Sequence, residues 1–343
     1  MRQFRKQEHI ENFLKSSFRG NTLLDQIFID HQSLPGVSLD DVDLKTEFLG
    51  KTASAPILIN AITGGSDFSK TINNALANIA HEFNIPMAVG SQTIALETPS
   101  TIESFSIVRR NNPNGIILSN LNGNSTIDDV KKAVEMIGAD GIQIHLNVPQ
   151  ELSMAEGDKD FRYIAENISK IVEASTVPVM VKEVGFGMST KAIKELYDIG
   201  IRIVDISGYG GTNFMEIENM RNPHLDTKQL YRWGIPTALS LLEASQLELP
   251  DLKLIASGGV ASGLDIFHSL VLGASMAGIC GELLRYVIHG GPEQARNYIN
   301  NLVEQLKRLM VLVGSTNVEQ LHSVPFRITG TLKDLYTAPR FRQ

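Results

Sequence analysis

One cysteine, Cys280, stands in 343 residues. A single thiol excludes an intramolecular disulfide, a cysteine-built zinc site and an iron–sulfur cluster. Long apolar runs are missing too, and none approaches the roughly 20 residues that a membrane-crossing helix needs. The opening segment 1–8 is basic but has no apolar stretch of the kind a secretory signal carries. A cytoplasmic location is therefore the default expectation. Positive charge is the scarcer sign, with 31 Lys and Arg against 38 Asp and Glu, a net charge of −7. An acidic balance argues against general nucleic-acid binding, where basic patches supply most of the affinity. An anionic ligand must then be captured by local donors, because no global field will gather it.

What the chain does have is apolar material, 43% of its residues, distributed in short pieces. From residue 56 onward, apolar runs at 56–59, 87–89, 115–118, 141–144, 179–181, 203–206, 252–255 and 275–279 alternate with amphipathic stretches. The runs are short and bounded by turn or polar residues, as buried parallel strands should be. Between them, helical patterns are expected at 126–137, 161–174 and 190–199. The second puts Ile164, Ile168, Ile171 and Val172 on one face, and Gly200 is the expected stop of the third. Eight strands alternating with helices predict an α/β fold, a single (β/α)8 TIM barrel. A doubly wound open sheet is the alternative, but no GxGxxG follows the first run. The whole chain, 1–343, reads as one domain. Residues 1–55 are expected to form a helical leader with a polar turn, and 56–343 the barrel and C-terminal helices. A long loop, 208–235, follows strand six.

Barrel chemistry collects at the C-terminal ends of the strands, and nearly every end here carries a small, polar or charged residue. The segment Ser257-Gly258-Gly259 before a helix is the strongest phosphate signal, since glycines admit a phosphate close to main-chain N–H groups. Ala277-Gly278 would supply the other half of that cradle. Lys182 ends an apolar strand, where it could pair with Glu183 or Asp205, or sit as a cation beside a flavin ring. Gln150-Glu151 follows His145 and Asn147 at the mouth of strand four, and Glu151 is a candidate Mg²⁺ ligand beside substrate phosphates. Glu156 and Asp158 compete for that role. His145 could equally be a hydrogen-bonded core residue. Cys280 is read as packing.

In sequence order, Arg5-Lys6-Gln7-Glu8-His9-Ile10, Ala61-Ile62-Thr63-Gly64-Gly65, Gly90-Ser91-Gln92, and His145-Leu146-Asn147-Val148-Pro149-Gln150-Glu151 form a series. It continues through Val181-Lys182-Glu183-Val184-Gly185-Phe186-Gly187, Asp205-Ile206-Ser207-Gly208, Gly211-Thr212-Asn213-Phe214, Trp233-Gly234-Ile235 and Ser257-Gly258-Gly259. This series resembles the type 2 isopentenyl diphosphate isomerases, which are FMN-dependent barrels.

The resemblance implies flavin contacts from Ala61, Ile62, Thr63, Ser91, Asn120, Lys182 and Thr212, with the phosphate on Ser257, Gly258, Gly259, Ala277 and Gly278. It implies substrate contacts from Arg5, Lys6, His9, Ser91, Gln92, Thr93, His145, Asn147 and Gln150, under an N-terminal arm that covers the barrel mouth. Glu151 would hold Mg²⁺. Gln150, Lys182 and Glu218 would serve catalysis, Gln150 by orienting the alkene and Glu218 as a proton relay.

The implied reaction interconverts isopentenyl and dimethylallyl diphosphate for isoprenoid biosynthesis. Reduced FMN would act as acid and base without net redox change, and NADPH would prime the flavin. A homo-oligomer, tetramer or octamer, is implied as well. Two departures stand out: Thr93 replaces the family's usual Arg, and Gln7 its usual Asp. A rival on the same fold is an FMN oxidoreductase of the 2-hydroxy-acid oxidase type. Its histidine slot is Tyr209 here, so its base is missing. A second rival is a non-catalytic flavin- or phosphate-binding barrel.

Overall fold

The computed structural model describes residues 2–222, 224 and 226–340. Residues 1, 223, 225 and 341–343, which the expected single domain 1–343 includes, lie outside the described residues.

Eight parallel strands close into a barrel: β1 (Ile57–Ile59), β2 (Met87–Ala88), β3 (Ile117–Asn122), β4 (Gly141–His145), β5 (Val179–Lys182), β6 (Ile203–Asp205), β7 (Lys253–Ala256) and β8 (Met276–Ile279). Closure occurs between β8 and β1, where Ala277, Gly278 and Ile279 register with Ile57, Leu58 and Ile59. The open doubly wound sheet is thereby excluded. Each run predicted as a strand is one, with ends displaced by a few residues. The largest displacement is in β3, which continues through Ser119 and Asn120 to Asn122 because β4 offers a paired partner along that whole length.

Alternation along the strands builds two cores. Leu58, Ala88, Leu118, Met180, Ile255 and Met276 fill the barrel interior. Ile57, Ile59, Ile142, Ile144, Val181 and Val204 face outward to the surrounding helices. The helices stop where their local chemistry says they should. Thr126 caps Ile127–Ile137 through a reciprocal bond with Asp129, and Gly138 ends it in the left-handed region.

The leader differs from its expectation. Only α1 (Arg2–Lys15) is a long helix there. A hairpin of Thr46–Phe48 and Lys51–Ala53 follows, turning on Leu49 and Gly50, with φ of 51° and 74°. Two consecutive positive φ values match the twist of a tight hairpin. Phe48, 1% exposed, inserts into the barrel's interior core and plugs its N-terminal end. Burial of one such side chain contributes ~1.5–3 kcal/mol. Three-residue strands are too short to show a period in the sequence. The loop after β6 is also more ordered than its length suggested. It contains α3 (Phe214–Arg221), and α2 (Val148–Ser153) lies in the loop after β4.

Candidate active site

The strand ends open into one cavity of about 500 Å³, within the size range usual for small-molecule and cofactor sites. Its floor is a polar network. Asp205, the last residue of β6, is fully buried. Its Oδ1 accepts from the Ser257 hydroxyl at 2.7 Å and from the Ser207 N–H at 3.0 Å. Its Oδ2 accepts from Asn60 Nδ2 at 2.6 Å. Asn60 Oδ1 accepts from Gln143 Nε2 at 2.9 Å, and Gln143 Oε1 from Asn120 Nδ2 at 3.0 Å. Asn120 Oδ1 lies 2.9 Å from His145 Nδ1. Buried polar groups are costly unless paired, and each member of this chain satisfies the next. It links the ends of β6, β7, β1, β4 and β3.

Lys182 ends β5 with 6% of its surface exposed. Its ammonium donates to the main-chain carbonyl of Glu183, not to a carboxylate. Glu183 turns away, and its Oε2 accepts from the N–H groups of Val184, Gly185 and Phe186 at 2.6, 2.7 and 2.5 Å. Burial outweighs the three amides and Lys182 and pushes its carboxyl up to about 7.

At the edge of the cavity the loops after β6 and β7 touch backbone to backbone. Gly258 has φ +96°, and a Cβ there would stand 2.0 Å from the Gly208 carbonyl oxygen. No other residue fits. Arg285 stacks on Phe13 with its guanidinium carbon 4.6 Å from the ring centre, and it also lines the cavity.

The mouth is covered from the N-terminal side. Lys6 Nζ donates to the Ser91 carbonyl at 2.5 Å, and the Ser91 and Thr93 hydroxyls are 3.0 Å apart. Lys6 thus brings a cation to the corner where Thr93 replaces an arginine. Asn12 Nδ2 donates to the Ile217 carbonyl at 3.3 Å. Where the chain leaves α1, the N–H groups of Ser17 and Phe18 both donate to Glu216 Oε1 at 3.1 Å.

Glu218, on α3, is 1% exposed. Its Oε1 accepts from Gln150 Nε2 at 3.1 Å and lies 2.7 Å from His9 Nε2. Its Oε2 meets Arg221 at 2.5 Å. Burial would raise its carboxyl, but His9, Gln150 and Arg221 outweigh it and hold the group below the usual range. On α2, Asn147 Nδ2 donates to Glu151 Oε1 at 2.8 Å, and the Asp158 N–H donates to Glu151 Oε2 at 2.8 Å. Among the described residues no group of three or more His, Cys, Asp and Glu side chains is set to hold a metal. A site that shares its ion with substrate oxygens and water needs no such cluster. Of the competitors, Glu156 is engaged by Arg221 at 3.0 Å and Asp158 by Asn124 at 2.9 Å.

Most of the expected residues line this one cavity: Arg5, Lys6, His9, Ala61, Ile62, Thr63, Ser91, Thr93, Asn120, His145, Asn147, Gln150, Glu151, Lys182, Thr212, Ser257, Gly258, Gly259 and Gly278. Three do not. Gln92 is fully buried and turned inward, donating to the Ala133 carbonyl at 2.9 Å and accepting from the Asn120 N–H at 3.1 Å. It shapes the wall and does not face a substrate. Ala277 falls on the outward face of β8, in the outer core, because side chains alternate along a strand. Glu218 reaches the cavity only through Gln150 and His9.

Sequence reasoning missed Arg19 and Arg285, which line the cavity, and the part played by Asn60 and Gln143. A polar residue within an apolar strand, as Gln143 is, was the available signal. Tyr209, in the slot where the oxidases carry a histidine, packs against Phe18 with ring centres 6.2 Å apart.

The FMN-dependent dehydrogenase family matches residues 147–326. The chain is 45% identical over 327 residues to an isopentenyl-diphosphate delta-isomerase of Geobacillus sp. (strain WCH70), covering 95% of this chain and 93% of that one. It is 44% identical to the protein of the same name in Moorella thermoacetica, with the same coverage. Among solved structures, mandelate oxidase with (S)-2-phenylpropionate superposes with a TM-score of 0.67 at 17% identity, over 90% of this chain and 88% of that one. A double mutant of flavocytochrome b2 with pyruvate bound gives 0.67 at 20%, over 98% and 85%. These two likenesses concern the barrel alone. The chain belongs to the isopentenyl-diphosphate delta-isomerase family, within the wider FMN-dependent dehydrogenases.

Proposed function

We propose that this protein is a type 2 isopentenyl diphosphate isomerase that interconverts isopentenyl and dimethylallyl diphosphate. One observation carries the reading at residue level: Gln150, held by buried Glu218, shares a cavity with Lys182 and with the basic Arg5–Lys6 arm. An acidic protein that binds a diphosphate needs such local cations.

The residues present suit FMN. Lys182 offers a buried cation to an electron-rich ring, the floor from Asn60 to His145 offers amide donors and acceptors, and Ser257, Gly258, Gly259 and Gly278 offer an open phosphate cradle. When bound, the flavin would supply the electron-rich surface and proton-transfer chemistry that moving a double bond requires. Ala61, Ile62, Thr63, Ser91, Asn120 and Thr212 complete its walls. Arg5, Lys6, His145, Asn147 and the Ser91–Thr93 corner hold the diphosphate. Glu151 would hold Mg²⁺, an ion that shares its shell with phosphate oxygens and water. Gln150 orients the alkene, since an amide does not titrate near neutral pH. Glu218 fixes Gln150 and His9 and relays protons. NADPH would supply the reducing equivalents for the flavin, and the protein assembles as a homo-oligomer. No described helix is long and apolar enough to cross a membrane.

The test is a proton-NMR assay of isopentenyl diphosphate with FMN, Mg²⁺ and NADPH, run anaerobically in deuterated buffer. Dimethylallyl diphosphate carrying deuterium should form, with far less NADPH oxidised than product made. A flavin-binding protein that yields no product returns the site to the oxidoreductase reading.

A further inference from the structure

Three amide side chains run beneath the cavity from Asn60 to His145, and each orientation is dictated by its neighbour. The Ala61 main-chain N–H donates to Asn60 Oδ1 at 2.9 Å. A peptide N–H only donates, so the Asn60 atom it meets must be the oxygen. Asn60 therefore presents its nitrogen to Asp205 and Ser257. Gln143 meets the same Asn60 oxygen at 2.9 Å and must answer with its own nitrogen. Its oxygen is left facing Asn120 at 3.0 Å, which must again present nitrogen. The Asn120 oxygen then faces His145 Nδ1 at 2.9 Å. An acceptor at that position requires a proton on Nδ1. The Leu121 carbonyl also faces the ring and favours its protonated form.

We infer that Asn60, Gln143 and Asn120 are positioning residues that hold His145 as its Nδ1–H tautomer, and that His145 must take up a proton from solvent before it can donate to a diphosphate. The second half rests on His145 being a diphosphate contact, as proposed above. A neutral imidazole has one N–H, and here that hydrogen is engaged by Asn120. Its Nε2 offers a lone pair, which repels an anionic oxygen. Only the imidazolium, with N–H on both nitrogens, serves Asn120 and a phosphate oxygen together.

The groups that face the ring explain why the proton is absent until ligand arrives. Lys182 stands on the adjacent strand and registers with His145, and Lys6 reaches over from α1. The one anion of the floor, Asp205, is connected only through the amides. Burial, then Lys182 and Lys6, push the ring down to about 3 in the ligand-free cavity. A diphosphate brings several negative charges to the same place and reverses that balance.

The experiment is calorimetric titration of FMN-loaded protein with inorganic pyrophosphate and Mg²⁺ at neutral pH, in buffers of differing ionisation enthalpy. Wild type should take up about one more proton per site than His145→Gln. Equal proton counts, with binding weakened in the variant, overturn the inference and leave His145 as a ligand. Unchanged pyrophosphate affinity in the variant removes His145 from the diphosphate site, and the proton uptake with it.

A second measurement reads the tautomer directly. In histidine-labelled wild type, nitrogen NMR should show His145 as Nδ1–H alone, assigned by its loss in His145→Gln. Gln143→Met, checked for retained FMN absorbance, should give a mixture of tautomers. An Nε2–H form in neutral wild-type protein would overturn the relay.

Discussion

Nε2 of His9 and Oε1 of Glu218 lie 2.7 Å apart, joining the N-terminal helix to the helix after β6. The same carboxylate oxygen accepts from Gln150, so one buried group both seats the cover of the cavity and aims an amide into it. Arg221 ties the far oxygen and also reaches Glu8 and Glu156. Losing Glu218 should therefore disturb covering and chemistry together. Glu218→Gln is expected to lower kcat roughly 10²-fold or more while FMN stays bound. Limited proteolysis should cut the N-terminal segment faster in the variant. Equal kcat in the two proteins would remove Glu218 from the active site.

Glu151 is wired by Asn147 and by the Asp158 N–H, which aims its carboxylate without committing it to a protein cation. Glu151→Gln should lose Mg²⁺-dependent turnover and keep flavin absorbance. A variant whose Mg²⁺ titration of activity matches wild type would send the metal to another residue.

Lys182 has a main-chain carbonyl for company and carries its charge into the barrel centre. Lys182→Met should weaken FMN binding by ~1.5–3 kcal/mol, the usual value of a hydrogen bond to a charged group. It should also make the bound flavin harder to reduce, because an anionic ring loses its counter-charge. Fluorescence titration and a redox titration check the two effects separately.

Gly258 is held by the backbone it touches. Gly258→Ala would place a Cβ 2.0 Å from the Gly208 oxygen at a φ of +96°, and such strain costs ~1–3 kcal/mol. A lower Tm with reduced FMN retention is expected. Full FMN affinity in a folded variant would show that this loop is not the phosphate cradle.

Acid stability should report His145. Its ring is shifted from an ordinary 6.5 down to about 3, so between those values the unfolded chain binds a proton that the folded chain refuses. Stability is then fully present above 6.5 and declines as pH falls toward 3. Thermal melts of ligand-free wild type and His145→Gln should diverge across that window, with the variant showing the flatter slope. Parallel curves would contradict the buried neutral ring.

The barrel was legible because strand and helix carry different periods, and eight short apolar runs separated by amphipathic stretches admit few closed arrangements. The strand ends were legible for a related reason. In a parallel barrel all of them open on one face, so residues as distant as Ser91, Lys182 and Ser257 must converge once closure is granted. Composition also settled what the site could not be, since one cysteine cannot hold an iron–sulfur cluster or close an intramolecular disulfide.

Tertiary structure decided what depends on the direction of a side chain. Gln92 sits one residue from Ser91 where the chain turns into the helix Thr93–Glu97, and its side chain bonds the Ala133 carbonyl away from the cavity. Ala277, one residue from Gly278, lies on the outer surface of its strand because a step of one residue reverses the face. The hairpin that drives Phe48 into the barrel floor is too short to show a period. The contact of His9 with Glu218 spans most of the chain, and no local pattern encodes it. The hydrogen-bonded run from Ala61 to His145 depends on which end of each amide faces its neighbour, a choice made by distances across three strands and by the one peptide N–H that can only donate.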